Sequence, residues 1–401
     1  MNIPRQEPSP HVVRPETIDE LVDAVHTARG NGSSYELVSG GTKRGLGTPS
    51  AGTAVLDLSG FSGIEFYEPE ELVIKVRAGT RMSEIQAALS EKGQHLAFEP
   101  PDYGPVFGHD RLADTIGGVV ACNLAGPRRV IAGSAKDSVL GLEGVNGRGE
   151  VFKCGGRTVK NVTGYDMAKL LTGSFGTLAA LTSITLKVLP RPEGELTLII
   201  SGADDYSACH LLSKSLQLPV AISGAAHSGG IGCAKGLTSF RLEGVSASLR
   251  PRLYQLKEHL KFGYATHVIE GSESQAHWRD IRDLSAFSAD QKSCLWRMLA
   301  PVGDAAKLAC SIGGEALYDW GGNEVFVRAS YEDVLSQAQR LRDRAVRAGG
   351  VADLFRAAKA LRLDVGAFQP KSEALASLSA RIKAMFDPAG LLNPGRLGIS
   401  G

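Results

Sequence analysis

Apolar residues recur at helical spacing near the start of the chain and then gather into short runs. Ile18, Leu21 and Val25 fall on one helical face behind an acidic first turn, which predicts a helix that ends at Gly30. The short runs that follow have the length and β-branched content of strands. They predict strands at Tyr35–Val38, 53–58, 72–78, 95–98 and 178–189.

Local signals fill in the rest of the first half. Ser83 has the character of an N-cap for a helix over 84–92, which Gly93 would end. Two runs at 139–145 and 150–154 flank Asn-Gly, a dipeptide typical of tight hairpin turns. The stretch between Pro100 and Pro127 is rich in turn residues and predicts irregular backbone.

The pattern changes at the sequence Pro-Arg-Pro-Glu-Gly, which begins at Pro190. Downstream, helical patterns at 206–216, 252–262 and 331–348 alternate with short strands, and a last helix is predicted over 372–386. Such alternation favours an α+β unit with an antiparallel sheet. We therefore expect three parts: a first domain over 1–190, a smaller α+β domain over 191–370, and a C-terminal segment over 371–401 that returns to the first.

The composition excludes several classes of protein but does not identify a function. With 44 basic and 43 acidic residues the net charge is +1, which gives no reason to expect nucleic acid as a partner. No apolar run reaches membrane-spanning length, and the N-terminus lacks a signal-peptide core, so a cytoplasmic protein is expected. The six cysteines form no C-x-x-C pair, which argues against zinc and iron–sulfur sites and favours reduced thiols.

Four glycine-rich stretches carry the candidate chemistry. Backbone N–H groups converge on an anion most easily where residues lack a Cβ atom, and Lys43 and Arg44 add positive charge to the first stretch. That stretch is neither a P-loop nor a dinucleotide fingerprint. Four such stretches indicate a long ligand, such as a flavin dinucleotide, rather than a single phosphate. They are 39–47, 114–123, 164–176 and 393–396.

These stretches resemble the vanillyl-alcohol-oxidase superfamily of flavoproteins, and within it the small FAD-binding subunits of bacterial glycolate oxidase complexes. The resemblance rests on VSGGTKRGLG from Val38, VRAGT from Val76, DTIGG from Asp114, RTVKNVTGYDMAKL from Arg157, TGSFGT from Thr172 and FDPAGLLNPGRL from Phe386. It implies a PCMH-type FAD-binding domain of two α/β subdomains, with a smaller α+β cap domain that contains an antiparallel sheet.

The resemblance also implies which residues contact the cofactor, with Arg396 as a candidate charge beside the flavin ring. No His or Cys stands in the first loop, and Cys122 lies in an apolar run, so FAD is expected to bind non-covalently. The expected FAD-binding residues are Gly40, Gly41, Thr42, Lys43, Arg44, Gly45, Thr115, Gly117, Gly118, Asn123, Gly173, Ser174, Gly176, Thr177, Asn393 and Arg396.

The activity implied is oxidation of glycolate, or another 2-hydroxy acid, to the 2-oxo acid. The partners implied are a larger FAD-binding subunit and an iron–sulfur subunit, through which the protein could attach peripherally to the inner membrane. Two alternatives stay open: a stand-alone FAD-dependent oxidase of a hydroxy acid or alcohol, and a largely structural flavin subunit.

Catalytic residues cannot be read from the sequence. His109 with Asp110 and Arg111 is the nearest approach to an acid/base cluster, although a solvated loop histidine is the commoner case. Arg328, Arg356 and Arg362 are candidates for holding a substrate carboxylate only in the loosest sense, since the sequence shows no substrate site. The sequence leaves the electron acceptor, the subunit ratio and the membrane attachment undetermined.

Overall fold

A computed structural model of the protein describes residues 11–157, 165–231, 234–260 and 263–398. Its strands are β1 Val12–Val13, β2 Tyr35–Val38, β3 Ala54–Asp57, β4 Ile64–Glu68, β5 Val73–Arg77, β6 Gln94–His95, β7 Val139–Asn146, β8 Val151–Gly155, β9 Ala179–Lys187, β10 Leu189–Pro190, β11 Gly194–Ala203, β12 Ile222–Ser228, β13 Gly236–Gly244, β14 Ala265–Glu270, β15 Cys294–Leu299, β16 Ala316–Asp319, β17 Glu324–Ala329 and β18 Val351–Arg356.

The α-helices alternate with these strands. They are α1 Ile18–Asn31, α2 Met82–Glu91, α3 Ile116–Ala121, α4 Arg129–Ala132, α5 Ala135–Ser138, α6 Met167–Leu171, α7 Asp205–Leu216, α8 Ser246–Leu260, α9 Gly271–Arg282, α10 Val302–Cys310, α11 Tyr331–Arg347, α12 Lys359–Asp364 and α13 Glu373–Phe386. None of the helices in the described ranges is both long enough and apolar enough to cross a membrane.

The described part of the first half contains two larger sheets and a short antiparallel pair of β6 and β10. Strands β1, β3 and β2 form a parallel sheet, and β4, β5, β9, β7 and β8 form an antiparallel sheet in that order. Helix α1 begins where Thr17 accepts a hydrogen bond from the Glu20 amide, and it ends at Gly32 in a left-handed conformation. Its buried face packs against the parallel sheet and so places the end of β2, where the first glycine-rich loop begins.

The second half builds an eight-stranded antiparallel sheet in the order β14-β11-β13-β12-β16-β17-β15-β18. Helices α7, α8, α10 and α11 cover one face. Alternate residues of the strands point to opposite faces, so Val325 and Val327 pack under these helices while Phe326 points the other way. The expected α+β class and antiparallel sheet are confirmed.

The two halves share one hydrophobic core. Phe326 and Phe355 from the eight-stranded sheet belong to the same buried cluster as Ile74 and Phe98 from the first half. The C-terminal tail also returns, because Tyr35 donates to the Leu391 carbonyl and accepts from the Asn393 amide. The eight-stranded sheet therefore packs as an integral part of the molecule.

Several predicted elements differ from the structure. Helix α2 begins at Met82 rather than after Ser83, and Ser83 does not cap it. The stretch 100–127 was expected to be irregular, but it contains α3. This helix was not predicted because it includes two adjacent glycines, which are poor helix formers. Four cysteines are free thiols, but Cys310 is disulfide-bonded, so the expectation of reduced thiols was wrong there.

An ion-pair network fastens the two halves together. Both terminal nitrogens of Arg241, which is 1% exposed in β13, donate to the carboxylate of Glu99 at 2.9 Å. Arg128 lies 3.7 Å from Glu99 and donates from its Nε to Glu243 at 2.9 Å. These arginines lower the pKa of Glu99 to about 2, so the carboxylate stays ionised although it is buried.

We expect Arg241→Met to lower the free energy of unfolding by about 3 kcal/mol or more, because the buried carboxylate of Glu99 would lose its main partner. Urea denaturation at pH 7 measures the change. Arg250→Met is the matched control, since Arg250 and Glu270 form an exposed pair that contributes less than about 1 kcal/mol.

The loss of stability caused by Arg241→Met should also depend on pH. Because the folded-state pKa of Glu99 lies below its ordinary value of 4.5, its ionic contribution is complete above about pH 4.5 and is lost as the pH falls towards 2. The difference in the free energy of unfolding between Arg241→Met and the unmodified protein should therefore shrink as the pH falls over that interval. A gap that is small at pH 7, or unchanged by acid, would contradict this account.

Candidate functional site

The glycine-rich stretches converge on one pocket. The loop after β2, the start of α3, the turn before β9 and the C-terminal tail surround a space of about 110 Å³. Apolar side chains of Leu58, Ala179 and Leu181 complete the wall. The predicted residues that line it are Gly40, Gly41, Thr42, Lys43, Arg44, Thr115, Gly117, Gly118, Gly176, Asn393 and Arg396.

Five predicted residues do not line this pocket. Gly45 packs against the Phe107 ring, and Asn123 accepts a hydrogen bond from the Lys136 amide. Gly173 lies against Asn123, while Thr177 donates to the Ser174 carbonyl. These residues support the loops from behind. The part of the predicted signature at 158–164, including Gly164, lies outside the described residues.

Backbone amides in the first loop point to an anion. The N–H groups of Gly40, Gly41, Thr42 and Lys43 donate to no acceptor in the described part of the chain. The buried hydroxyl of Ser39 also has no hydrogen-bond partner there. A buried hydroxyl is normally hydrogen-bonded, and consecutive amides in a turn form an anion-binding concavity. An anionic ligand in the pocket would satisfy them.

Two buried arginines make the surroundings of this loop positive. Arg396 donates to the Lys43 carbonyl at 2.6 Å, and Arg362 donates to the Gly47 carbonyl at 2.7 Å. Neither has a carboxylate within ion-pair distance among the described residues. Burial lowers the pKa of Arg396, and burial together with the charge of Arg396 lowers that of Arg362 to about 10. Both remain cations at neutral pH.

Lys43 and Arg44 differ from these arginines because carboxylates balance their charges, with Glu36 as the partner of Arg44. The Nζ of Lys43 lies 2.7 Å from Asp114 Oδ2, with the two side chains 8% and 2% exposed. Thr42 donates its hydroxyl to the other Asp114 oxygen. This buried group joins the first loop to the segment that leads into α3, so Lys43 fixes the pocket's shape rather than offering a free charge.

The glycines of the site serve two different purposes. A Cβ atom on Gly40 would lie 2.1 Å from the Ala113 carbonyl oxygen, and one on Gly117 would lie 2.7 Å from that of Ala78. These glycines allow protein segments to approach each other, which corrects the expectation that ligand approach explains them. Gly41 is different, because it has a φ of +74° and nothing nearer than 3.9 Å to its Cβ position.

Asn393 joins three segments and has little left to offer a ligand. Its amide nitrogen donates to the Phe175 carbonyl at 2.7 Å, and its side-chain oxygen accepts from the Leu37 amide at 2.8 Å. The side chain lines the pocket but both its polar ends are used. It therefore positions the strand β2 and the turn before β9.

The donor set fits the diphosphate of a flavin dinucleotide. Unpaired amides, a buried hydroxyl without a partner and Arg396 line an open cradle at Gly41, and Arg362 adds positive charge from behind the loop. A space of 110 Å³ is smaller than the roughly 300–1,000 Å³ of ordinary ligand pockets. It accommodates the diphosphate portion, and the ring systems of a dinucleotide would extend beyond it.

Cys122 lines the pocket, contrary to the expectation that it only packs in the core. Burial raises the pKa of its thiol to about 11. The thiol is therefore protonated at neutral pH and is a poor nucleophile, which agrees with non-covalent binding.

The other candidate residues are placed as follows. His109 is exposed, while Arg111 pairs with Asp283 at 3.5 Å. Arg356 donates to four backbone carbonyls, and Arg328 pairs with Glu315 at 3.0 Å. These side chains are engaged or remote from the pocket. Arg362, expected to hold a substrate carboxylate, instead supports the first loop, which a sequence pattern could not reveal.

A second cavity of about 600 Å³ lies between the two halves. Charged side chains line it, and many are paired with one another, including Arg128 with Glu243 and Arg282 with Asp283. Among the described residues no three His, Cys, Asp or Glu side chains are grouped as metal ligands.

Comparisons with known proteins agree with this site. A family model described as an FAD binding domain matches residues 9–155. The chain is 34% identical to glycolate oxidase subunit GlcE of Escherichia coli strain K12 over 94% of this chain and 96% of that protein. It belongs to the FAD-binding oxidoreductases, and within them to the family of GlcE.

A more distant relative and a solved structure are also similar to this chain. Glycolate oxidase subunit GlcD of Bacillus subtilis strain 168 is 26% identical over 92% of this chain and 83% of that protein. The solved structure of 4-ethylphenol oxidase from Gulosibacter chungangensis shares the fold with a TM-score of 0.73 at 16% identity, covering 97% of this chain and 89% of that one.

We expect Gly40→Ala to lower the free energy of unfolding by about 1–3 kcal/mol, because the added methyl would overlap a backbone carbonyl that cannot move aside easily. Thermal or urea unfolding measures this. Gly30→Ala is the matched control, since that helical glycine has nothing within 4 Å and alanine should be neutral or stabilising there. Equal effects at both positions would contradict the packing assignment.

Proposed function

We propose that this chain is the FAD-binding subunit of a complex that oxidises glycolate or a similar 2-hydroxy acid. The observation that carries the proposal is the pocket at the first loop, where consecutive amides have no acceptor and two buried arginines without carboxylate partners donate to carbonyls of the same loop. The similarity to GlcE over nearly the whole chain supports the choice of activity. FAD supplies, when bound, the acceptor for the two electrons removed from the hydroxy acid.

The chain's own groups would hold the cofactor by its diphosphate. Amides of Gly40 to Lys43 would donate to its oxygens, while Arg362 and Arg396 would balance its charge from behind the loop. Thr115, Gly117 and Gly118 would form the facing wall. Gly45, Asn123, Gly173, Ser174 and Thr177 would act indirectly, by holding these loops in place.

The names of the relatives suggest how the subunit works. GlcE and GlcD are both described as subunits of glycolate oxidase, so a multi-subunit assembly is the natural context. We assign the present chain a larger FAD-binding subunit and an iron–sulfur subunit as partners. A cytoplasmic location, with any membrane contact made through those partners, belongs to the same proposal.

The arginines behind the loop give a test of FAD binding. We expect Arg396→Met and Arg362→Met each to weaken FAD binding by about 10- to 100-fold, because each removes one buried cation from an anion site. Equilibrium dialysis with flavin fluorescence measures the dissociation constant.

Arg356→Met is the matched control, because Arg356 is also a buried arginine that donates to carbonyls, but it lies away from the pocket. Its FAD affinity should stay within about threefold of the unmodified protein. An equal loss in all three variants would mean that general destabilisation, not charge, is responsible. FAD should also leave the protein on acid precipitation, as expected for non-covalent binding.

Substrate oxidation is tested by an anaerobic absorbance spectrum of the FAD-loaded chain, recorded alone and with co-expressed partner subunits, before and after glycolate is added. Bleaching of the flavin band in the complex is the expected result. Bleaching with the isolated chain would favour a stand-alone oxidase. A spectrum that glycolate never changes, in either preparation, would favour a structural flavin and contradict the proposed function.

A further inference from the structure

Helix α13, which the structure describes from end to end, buries a lysine and no other residue. Lys383 is 8% exposed, whereas every other residue of the helix is half-buried or exposed. A helix that packs on a protein normally buries an apolar stripe, and a charged side chain is seldom buried unless it is paired. The burial of Lys383 therefore needs a reason other than hydrophobic packing.

All three donors of the Lys383 ammonium are used within the protein. They donate to the carboxylate of Asp387, one helical turn later, to the Thr177 carbonyl at 2.7 Å and to the Leu392 carbonyl at 2.9 Å. A lysine has three such donors and no acceptor. Lys383 therefore has no donor left for a ligand, and its charge serves to join segments of the chain.

The side chain of Asp387, which is 1% exposed, extends this connection. Its Oδ1 accepts from the Leu391 amide at 2.9 Å, and its Oδ2 accepts from the Leu392 amide at 2.8 Å. A Cβ atom on Gly147 would lie 2.2 Å from Oδ1, so the turn between β7 and β8 closes directly over the carboxylate. The two opposite charges are thus shielded from water, which strengthens their attraction.

The two carbonyls that Lys383 joins lie next to two walls of the FAD pocket. Thr177 directly follows Gly176 in the turn before β9, and Leu392 directly precedes Asn393 in the C-terminal tail. Both Gly176 and Asn393 line the pocket. Since the two carbonyl oxygens are bound to one nitrogen atom, Lys383 fixes the distance between these walls from behind.

The connection reaches the first loop through Arg396. This arginine follows Leu392 closely in the tail and donates to the Lys43 carbonyl at 2.6 Å. Arg362 reaches the same loop from α12 instead, where it donates to the Gly47 carbonyl. A displacement of the tail would therefore move Arg396 and leave Arg362 in place.

We propose that Lys383 and Asp387 are positioning residues for FAD binding, which hold the C-terminal tail against the turn before β9 and so place Arg396 beside the diphosphate. The inference rests on the proposed function for the identity of the ligand. Neither side chain is among the described residues that line the pocket, so both act through the segments that they join. The pair thus sets the affinity for a cofactor that it does not contact.

The affinity for FAD, measured by equilibrium dialysis with flavin fluorescence, tests this role. Lys383→Met should weaken binding by about tenfold or more, because the tail loses its link to the turn. Adding Arg396→Met to this variant should weaken binding little further, since Arg396 is already displaced. Adding Arg362→Met should instead multiply the two losses, as for independent sites. A variant that is merely less stable would respond alike to the loss of either arginine.

A second variant separates positioning from stability. Lys383→Met leaves a buried carboxylate without its cation, which lowers the stability of the fold. Combining it with Asp387→Asn removes that charge and should restore much of the thermal stability. FAD binding should stay weak, because no ammonium joins the carbonyls of Thr177 and Leu392. Recovery of stability and affinity together would overturn the inference.

Hydrogen–deuterium exchange of the FAD-free chain gives a readout that does not depend on the cofactor. In Lys383→Met the amides of Leu392 and Asn393 in the tail and of Thr177 in the turn should exchange faster, while those of α12 should be unchanged. Arg356→Met is the matched control, because Arg356 is a buried cation that donates to carbonyls away from the pocket. It should keep FAD affinity within about threefold and leave exchange at these amides unchanged.

Three results would overturn the inference: unchanged FAD affinity in Lys383→Met, losses that multiply fully with Arg396→Met, or unchanged exchange in the tail. An unmodified chain that binds no FAD, while exchange in Lys383→Met changes as expected, would contradict the proposed function instead. Absence of glycolate oxidation would likewise contradict only the proposed function.

Discussion

Excess positive charge around the loop after β2 is the constraint on which the site depends. Arg362 and Arg396 are buried and both donate to carbonyls of that loop, with one further bond from Arg362 to the Ala357 carbonyl. The amides from Gly40 to Lys43 have no acceptor in the described chain. The buried charge of these two arginines is unfavourable on its own, because no carboxylate in the described chain balances it. A bound anion balances it, so folding around the loop and binding of the cofactor stabilise each other.

The rest of the architecture holds that loop in place from several directions. Asn393 ties the C-terminal tail to β2 and to the turn before β9, and Arg362 reaches the loop from the helix after β18. The eight-stranded sheet is itself fastened by Arg241 and Glu99, inside a continuous hydrophobic core. The two halves of the chain therefore pack against each other through a shared core, which holds the loop and its supporting segments together.

Sequence patterns predicted what depends on local chemistry. Gly-Gly followed by Lys43 and Arg44 at the end of a strand was enough to locate the pocket, and the antiparallel sheet followed from its alternating pattern. The side of each loop that faces the pocket could not be predicted from the sequence, and Gly45 and Ser174, expected to contact the cofactor, do not line the pocket. Arg362 was missed as a loop contact because Gly47 lies 315 positions away, and only the tertiary fold brings them together.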